Sequence, residues 1–126
     1  MSIVLDASAL LAYLHDEPGA ERVSTALEGA VISAVNWSEV LQKSIRAGVD
    51  IEGMALDFAD IGVGFEAFTT QQAETAATLW NQTRNHGLSL ADRACLALAI
   101  ETARPVLTAD RVWRELGLEI EIQVVR

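Results

Sequence analysis

Four acidic residues stand at positions from which carboxylates can do chemistry: Asp6, Glu39, Asp92 and Asp110. Asp6 and Asp110 end short apolar stretches that have the composition of buried strands, residues 2–6 and 105–110. Glu39 follows a further apolar stretch by about two helical turns, and Asp92 falls in the first turn of a helix. Strands of a parallel sheet end at the same edge, so Asp6 and Asp110 should emerge together; if the helix starts also face that edge, all four acids converge there, where ligands of such sheets gather.

A cluster of carboxylates in a partly dry cleft must take up protons or bind a cation, because like charges repel strongly at short range. The only cysteine, Cys95, lies in an apolar helix, and the histidines, His15 and His86, stand apart from the acids. A site made of carboxylates suits a hard ion, so we expect Mg²⁺ or Mn²⁺, which activate water beside a phosphoryl group. Ser8 and Thr108, each two residues from an acid, are candidates to bond a carboxylate or a water.

Each acid also has a purely structural explanation. Asp92 stands three residues after Ser89, as in a helix capping box. Glu39 lies one turn before Lys43, as in a helical ion pair, and the other two acids are placed to cap the helices that follow them. The structural explanation is favoured for any one acid taken singly, whereas the four together favour a site.

Strands alternate with helices along the chain, which predicts an α/β fold with a mostly parallel central sheet and helices on both faces. Residues 69–87 are predicted to form one helix, with Thr69 and Gln72 as a capping box. The predicted buried stripe of that helix is Ala73, Ala76, Ala77 and Trp80. The strands are expected at residues 2–6, 30–33, 63–68, 105–110 and 119–125, and the other helices at 7–14, 16–29, 34–48, 51–62, from 89 onward and 111–117.

The composition limits the class of protein. A chain of 126 residues fits a single domain, residues 1–126, and its net charge of −9 argues against binding nucleic acid by global attraction. No apolar run reaches the roughly 20 residues needed to cross a bilayer. The apolar N-terminus lacks a basic lead and is interpreted as a strand and a helix rather than a signal peptide. A lone cysteine fits a reducing, cytoplasmic setting.

Four stretches carry a resemblance to a known family: "IVLDASALLAYL", "NWSEVL", "LSLADRACLALA" and "VLTADRVW". In this order and at these separations they resemble the PIN-domain nucleases, and more closely the VapC-type toxins of bacterial and archaeal toxin–antitoxin pairs. Each motif is weak alone, but the four in order are specific and span essentially the whole chain.

The resemblance implies a three-layer α/β/α sandwich and a Mg²⁺- or Mn²⁺-dependent endoribonuclease. It maps an acidic quartet, both catalytic and metal-binding, onto the four acids named above, and supporting hydroxyls onto Ser8 and Thr108. It further implies a homodimer and a VapB-type antitoxin whose C-terminal segment covers the active site. Arg93, Arg111 and Arg114 flank the acids and are candidates for contacts with RNA phosphates, with surface ion pairs as the alternative. No motif selects an RNA target.

Other classes fit less well. A haloacid dehalogenase phosphatase needs a second Asp where Ser8 stands, and Lys43 is misplaced for it. A receiver domain needs an acceptor Asp at a mid-chain strand end and a lysine after a late strand. Two alternatives remain open: a PIN nuclease for RNA processing without an antitoxin, and a non-enzymatic α/β binding module whose acids are only caps.

Overall fold

Five short strands form one sheet in the computed structural model, which describes residues 2–126. Numbered along the chain, they are β1 (Val4–Leu5), β2 (Val31–Ser33), β3 (Gly64–Glu66), β4 (Val106–Thr108) and β5 (Ile122–Val124). Their order across the sheet is β3-β2-β1-β4-β5, and every pairing is parallel. All five strands therefore direct their carboxyl ends to one edge of the sheet, with β1 and β4 adjacent near its centre.

Helices connect these strands and cover the sheet. The α-helices within residues 2–126 are α1 (Ala7–Leu14), α2 (Ala20–Ser24), α3 (Ala34–Arg46), α4 (Met54–Ile61), α5 (Thr70–Thr78), α6 (Trp80–Thr83) and α7 (Leu90–Thr102). Two short 3₁₀ helices, Arg84–His86 and Arg111–Glu115, complete the connections. Helices that link parallel strands begin at the carboxyl edge, so α3 and α7 present their first turns beside the ends of β1 and β4.

The strand residues alternate between two cores, because successive side chains of a strand point to opposite faces of the sheet. One core joins Leu5, Ile32 and Leu107 to residues of α1, α2 and α4. The other joins Val4, Val31 and Val106 to α7, to Leu79 just after α5 and to the 3₁₀ helix Arg111–Glu115. The predicted α/β/α sandwich with a parallel central sheet is therefore confirmed.

The segment after residue 69 differs from its predicted form. It divides into α5, α6 and a 3₁₀ helix instead of one helix, and the Thr83 hydroxyl donates to the carbonyl of Leu79, a contact that bends helices. The predicted buried stripe was wrong in part, because Ala77 and Trp80 are exposed. The residues that the segment buries are Gln72, Ala76, Leu79 and Thr83.

Gln72 explains this rotation of the buried face. Its side-chain amide donates to the Glu101 carboxylate on α7, so a polar residue is buried with a partner. Only half of the predicted capping box forms: the Thr69 hydroxyl accepts from the Gln72 backbone N–H, while the Gln72 side chain turns to Glu101. Helix α7 itself is enclosed as predicted, with residues 94–99 all buried. None of the helices in the described residues has the length and apolar character that a membrane span requires.

The segment after β5 packs tightly against Gly19, at the start of α2. Gly19 has φ +97°, and a Cβ added there would lie 2.6 Å from Cγ2 of Val125. Gly48 has a similar φ of +82°, but nothing lies within 4 Å of a Cβ at that position. Substitution of Gly48 therefore tests the effect of the backbone conformation alone, and substitution of Gly19 tests the same effect together with the contact with Val125.

We predict that Gly19→Ala lowers the free energy of unfolding by about 2–4 kcal/mol, and Gly48→Ala by about 1 kcal/mol. Both variants strain a left-handed backbone, and only the first also forces Val125 to move. Urea unfolding followed by circular dichroism measures both losses. Equal losses would contradict the tight contact between residues 19 and 125.

Candidate active site

Asp6 lies at the end of the central strand β1 and is only 3% exposed. It occupies the N-cap position of α1, but its side chain makes no capping hydrogen bond. Its Oδ2 instead accepts hydrogen bonds from the Ser8 hydroxyl at 2.5 Å and the Thr108 hydroxyl at 2.9 Å. Capping therefore does not explain this acid.

Asp6 also lacks a positive partner among residues 2–126, since none of the ion pairs in that range includes it. Burial raises the pKa of Asp6 to about 6. The hydrogen bonds from Ser8 and Thr108 oppose this shift, and the negative charges of Asp92 and Glu39 add to it. A buried carboxylate that neighbouring acids push toward its neutral form is typical of a functional site.

Asp92 is fixed by the predicted capping box at the start of α7. The Ser89 hydroxyl accepts from the Asp92 backbone N–H at 3.1 Å, and Oδ2 of Asp92 accepts from the Ser89 backbone N–H at 2.9 Å. Burial raises the pKa of Asp92, the bonds to Ser89 oppose the rise, and the charges of Glu39 and Asp110 add to it. The capping box thus holds a carboxylate that interacts with the other acids.

Glu39 is in α3 and forms the predicted ion pair, with its Oε2 at 3.1 Å from Nζ of Lys43. Its Oε1 is buried and has no hydrogen-bond partner in the described residues. An unpaired buried carboxylate oxygen is costly, so the ion pair alone does not account for the placement of Glu39.

Asn36, one turn before Glu39, was missed by the sequence reasoning. It is fully buried, and its side-chain amide donates to the backbone carbonyl of Ala91 at 2.9 Å. This bond ties α3 to the residue preceding Asp92, so it fixes the two helices that carry Glu39 and Asp92 against each other. An asparagine in an otherwise apolar stretch, one turn from an acid, was the available signal.

Asp110 follows β4 and is exposed. Its Oδ1 accepts from the Val112 backbone N–H at 3.0 Å, so it caps the 3₁₀ helix, as the structural explanation proposed. The hydroxyls predicted to support the acids link the ends of β1 and β4: Ser8 accepts from the Ala109 N–H at 2.9 Å, and Thr108 accepts from the Asp110 N–H at 3.1 Å. The first and last acids therefore belong to one hydrogen-bonded network.

Cys95 lies one turn after Asp92 in α7, and three of the acids act on its thiol. It is fully buried, and burial raises the pKa of its thiol well above the usual value. The charges of Asp6, Asp92 and Glu39 add to that rise, so all three acids lie close enough to act on one point. The thiol stays protonated, as expected for a small buried hydrophobe.

The predicted arginines are placed differently from one another. Arg93 turns to α5, where its Nη1 donates to the carbonyl of Ala76 at 2.9 Å, and the structure does not bring it to the acids. Arg111 lies beside Asp110, and its Nε donates to the backbone carbonyl of Arg126 at 2.8 Å. Arg114 is exposed on the same 3₁₀ helix.

The donor chemistry of the site fits a hard divalent cation. As the side chains stand, no group of three or more His, Cys, Asp or Glu residues within positions 2–126 is arranged to hold a metal ion. Each acid nevertheless has one oxygen fixed by a protein partner: Oδ2 of Asp6 and of Asp92, Oδ1 of Asp110 and Oε2 of Glu39. The second oxygen is left for another ligand, most clearly the buried Oε1 of Glu39. Oxygen donors of this kind are those that Mg²⁺ and Mn²⁺ prefer.

Comparison with known proteins assigns the chain to a family. The PIN domain family model matches residues 3–118. The chain belongs to the PIN domain family. No curated protein matches its sequence.

Solved structures with the same fold include toxin–antitoxin proteins. A toxin–antitoxin complex from Klebsiella pneumoniae gives a TM-score of 0.77 at 17% identity, covering 98% of both chains. DNA-bound VapBC from Salmonella typhimurium gives 0.73 at 15% identity, covering 100% of this chain and 99% of the other. VapC20 from Mycobacterium tuberculosis, a sarcin–ricin loop cleaving toxin, gives 0.73 at 17% identity, covering 94% of this chain and 98% of the other. At these identities the likeness establishes a common fold.

We predict that Asp6→Asn stabilises the metal-free PIN domain at pH 7, because the buried charge is removed. The folded-state pKa of Asp6, about 6, lies above its usual value of 3.8, so ionisation costs stability as pH rises between these values. The gain is expected to be about 3 kcal/mol at pH 7 and close to zero at pH 3.5, where Asp6 is protonated in both states. Thermal unfolding in chelator, measured at both pH values, tests this; a difference independent of pH would refute it.

Proposed function

We propose that this PIN domain is a metal-dependent endoribonuclease, the toxin of a VapBC-type toxin–antitoxin pair, and that it uses Mg²⁺ or Mn²⁺. The observation that carries the proposal is Asp6, a buried carboxylate without a positive partner in the described residues, flanked by the charges of Asp92 and Glu39. The toxin–antitoxin proteins that share the fold, one of them named for cleaving the sarcin–ricin loop, support the choice of RNA.

The residues that would hold the cation are Asp6, Glu39, Asp92 and Asp110. When bound, the cation activates water for attack on a phosphodiester and neutralises the charge that develops on the phosphoryl oxygens. The Ser8 and Thr108 hydroxyls hold the carboxylate of Asp6 through its Oδ2, which leaves Oδ1 free to act as a ligand.

The backbone positions the remaining acids. The capping box of α7 fixes Asp92 by one oxygen, and the Val112 N–H does the same for Asp110. Asn36 holds α3 against α7 and thereby sets the separation of Glu39 from Asp92. This network orients the acids before substrate arrives, as a preorganised site requires.

Partners follow from the same proposal. We expect a cognate VapB-type antitoxin, since several of the solved structures with this fold are VapBC complexes, and a homodimer, as the resemblance to VapC-type toxins implies. Large apolar side chains that are exposed on α3, in the loop after it, on α4 and on the edge strand β3 support a protein partner. They are Ile45, Val49, Leu56, Ile61 and Phe65, which are 36–66% exposed.

We predict that Asp92→Asn abolishes metal-dependent RNA cleavage while costing about 1 kcal/mol of stability or less. Asn can still accept the Ser89 N–H and so preserve the cap, whereas a charged ligand and its helix-dipole interaction are lost. The assay incubates mixed cellular RNA with the protein in Mn²⁺, in Mg²⁺ and in chelator. Asp57→Asn is the matched control, since Asp57 is an exposed first-turn acid of α4.

Cleavage by the Asp92→Asn variant at the wild-type rate would remove Asp92 from the site. If neither the wild type nor the variant cleaves RNA, a calorimetric titration with Mn²⁺ separates two explanations. A selective nuclease binds the ion, and a binding module does not.

The antitoxin is tested by expressing the chain alone and with its neighbouring gene. Growth arrest that the neighbour relieves is expected of a toxin. Harmless expression, together with cleavage of RNA in vitro, would favour the RNA-processing nuclease.

A further inference from the structure

Arg126, which the sequence reasoning did not select, lies at the acidic edge. It follows β5, which pairs in parallel with β4, and the Val125 N–H donates to the carbonyl of Thr108 at 2.9 Å. The chain therefore leaves the sheet on the same side as Asp110. The backbone carbonyl of Arg126 accepts from Nε of Arg111, which joins the two arginines directly.

The Arg126 side chain is held in place by Glu17 and Pro18, which do not belong to the candidate active site. Its Nη1 lies 3.0 Å from Oε1 of Glu17 and donates to the Pro18 carbonyl at 3.2 Å. About a third of the side chain remains exposed, 34%. The guanidinium is thus fixed in orientation and still open to solvent, and Arg has further N–H donors beyond the one used here.

A shallow, open cleft of about 480 Å³ lies where these arginines adjoin the site. Its lining residues are Ser8, Ala109, Asp110, Arg111 and Arg126. A hydroxyl residue and an acid of the candidate active site therefore share this lining with two arginines. Arg111 pairs with no Asp or Glu side chain among residues 2–126, and its Nε is held by the main-chain oxygen of Arg126, so its two Nη groups remain as donors for a ligand.

The negative charge of the chain explains why positively charged side chains are needed beside the acids. The chain has a net charge of −9, and the charges of Asp6, Glu39, Asp92 and Asp110 act on one another at the edge where the proposed substrate must bind. A polyanion is held there only if local cations offset that repulsion. Arginine is suited to this task, because its planar group binds phosphate oxygens in a fixed, bidentate geometry.

We propose that Arg126 and Arg111 form a phosphate-binding subsite, which holds an RNA backbone phosphate next to the one that is cleaved. The proposal rests on the proposed nuclease function and specifies how substrate is held at the same site. Glu17 fixes Arg126 and also competes with the phosphate for it. Loss of Arg126 should therefore weaken RNA binding, and loss of the Glu17 charge should strengthen it.

The test measures binding of a fluorescein-labelled, 20-nucleotide single-stranded RNA of mixed sequence by anisotropy, in chelator, over a range of salt. We expect Arg126→Gln and Arg111→Gln each to weaken binding about fivefold and to reduce the slope of log K against log salt by about 0.7, the value for one phosphate contact. The matched control is Arg104→Gln, because Arg104 lies at the opposite edge of the sheet, next to the start of β4. It should match the wild type.

Two further variants guard against misfolding. Glu17→Gln should bind the RNA more tightly than the wild type, a gain that a damaged fold would not give, with Glu28→Gln at the opposite edge as its control. Arg126→Lys should fall between the wild type and Arg126→Gln. In Mn²⁺, the KM for RNA cleavage should rise for Arg126→Gln while kcat stays near the wild-type value, the pattern for a group that binds substrate and transition state equally.

The outcomes separate this proposal from the nuclease assignment. If the wild type binds and cleaves RNA but Arg126→Gln matches Arg104→Gln in binding, salt slope and KM, the subsite is refuted and the nuclease stands. If the wild type does not bind the RNA in any of the conditions, the subsite is refuted; the nuclease proposal fails with it only if the protein also cleaves no RNA and binds no Mn²⁺.

Discussion

The burial of one negative charge at the end of the central strand is the constraint on which the rest of the site depends. Asp6 lies between the neighbouring strands β2 and β4 and beneath α1, where water cannot solvate it. Desolvation alone shifts its equilibrium toward the neutral acid, and two more carboxylates increase the shift. A fold selected only for stability would place an apolar residue here, as it does at Leu5. The cost is therefore evidence of function, because perturbed acids of this kind concentrate at active sites.

The surrounding structure lowers this cost without removing the charge. Hydroxyls and backbone N–H groups each fix one oxygen of an acid and keep the carboxylates oriented. Asp92 and Asp110 can therefore each cap a helix and also bind a metal ion, so the two explanations do not exclude each other. A cap uses one oxygen of a carboxylate, and a carboxylate has two. The same hydrogen bond that starts a helix also sets the position of the second oxygen, so local folding and site geometry have a common cause.

Local interactions account for what could be predicted from the sequence. The capping box at Ser89 and the ion pair of Glu39 with Lys43 depend on fixed separations along one helix, and both formed as predicted. The strands followed from apolar runs, and parallel pairing then implied that their ends share an edge. The acidic cluster was thus within reach of sequence reasoning, even though its members are up to about a hundred residues apart in the chain.

Long-range partners account for what could not be predicted. Gln72 is buried because Glu101 lies opposite it, and this moved Trp80 to the surface. Arg93 looked like a ligand-binding residue beside Asp92, but a carbonyl of α5 takes its guanidinium. No spacing in the sequence reveals either contact, because each partner is brought in by the packing of a different helix.

The role of Arg126 could not be predicted from the sequence either, and it shows how the charge of the chain can affect the selectivity of binding. Its role depends on Glu17, more than a hundred residues earlier, and on the parallel placement of β5 beside β4. In an acidic chain, guanidinium groups that are fixed beside the acids favour anion binding at that edge. Elsewhere the net charge repels a polyanion, so nonspecific binding is weak. The proposed nuclease would then hold RNA where these arginines stand and cleave it only where a cation is also bound, and the acidity of the chain would favour selectivity.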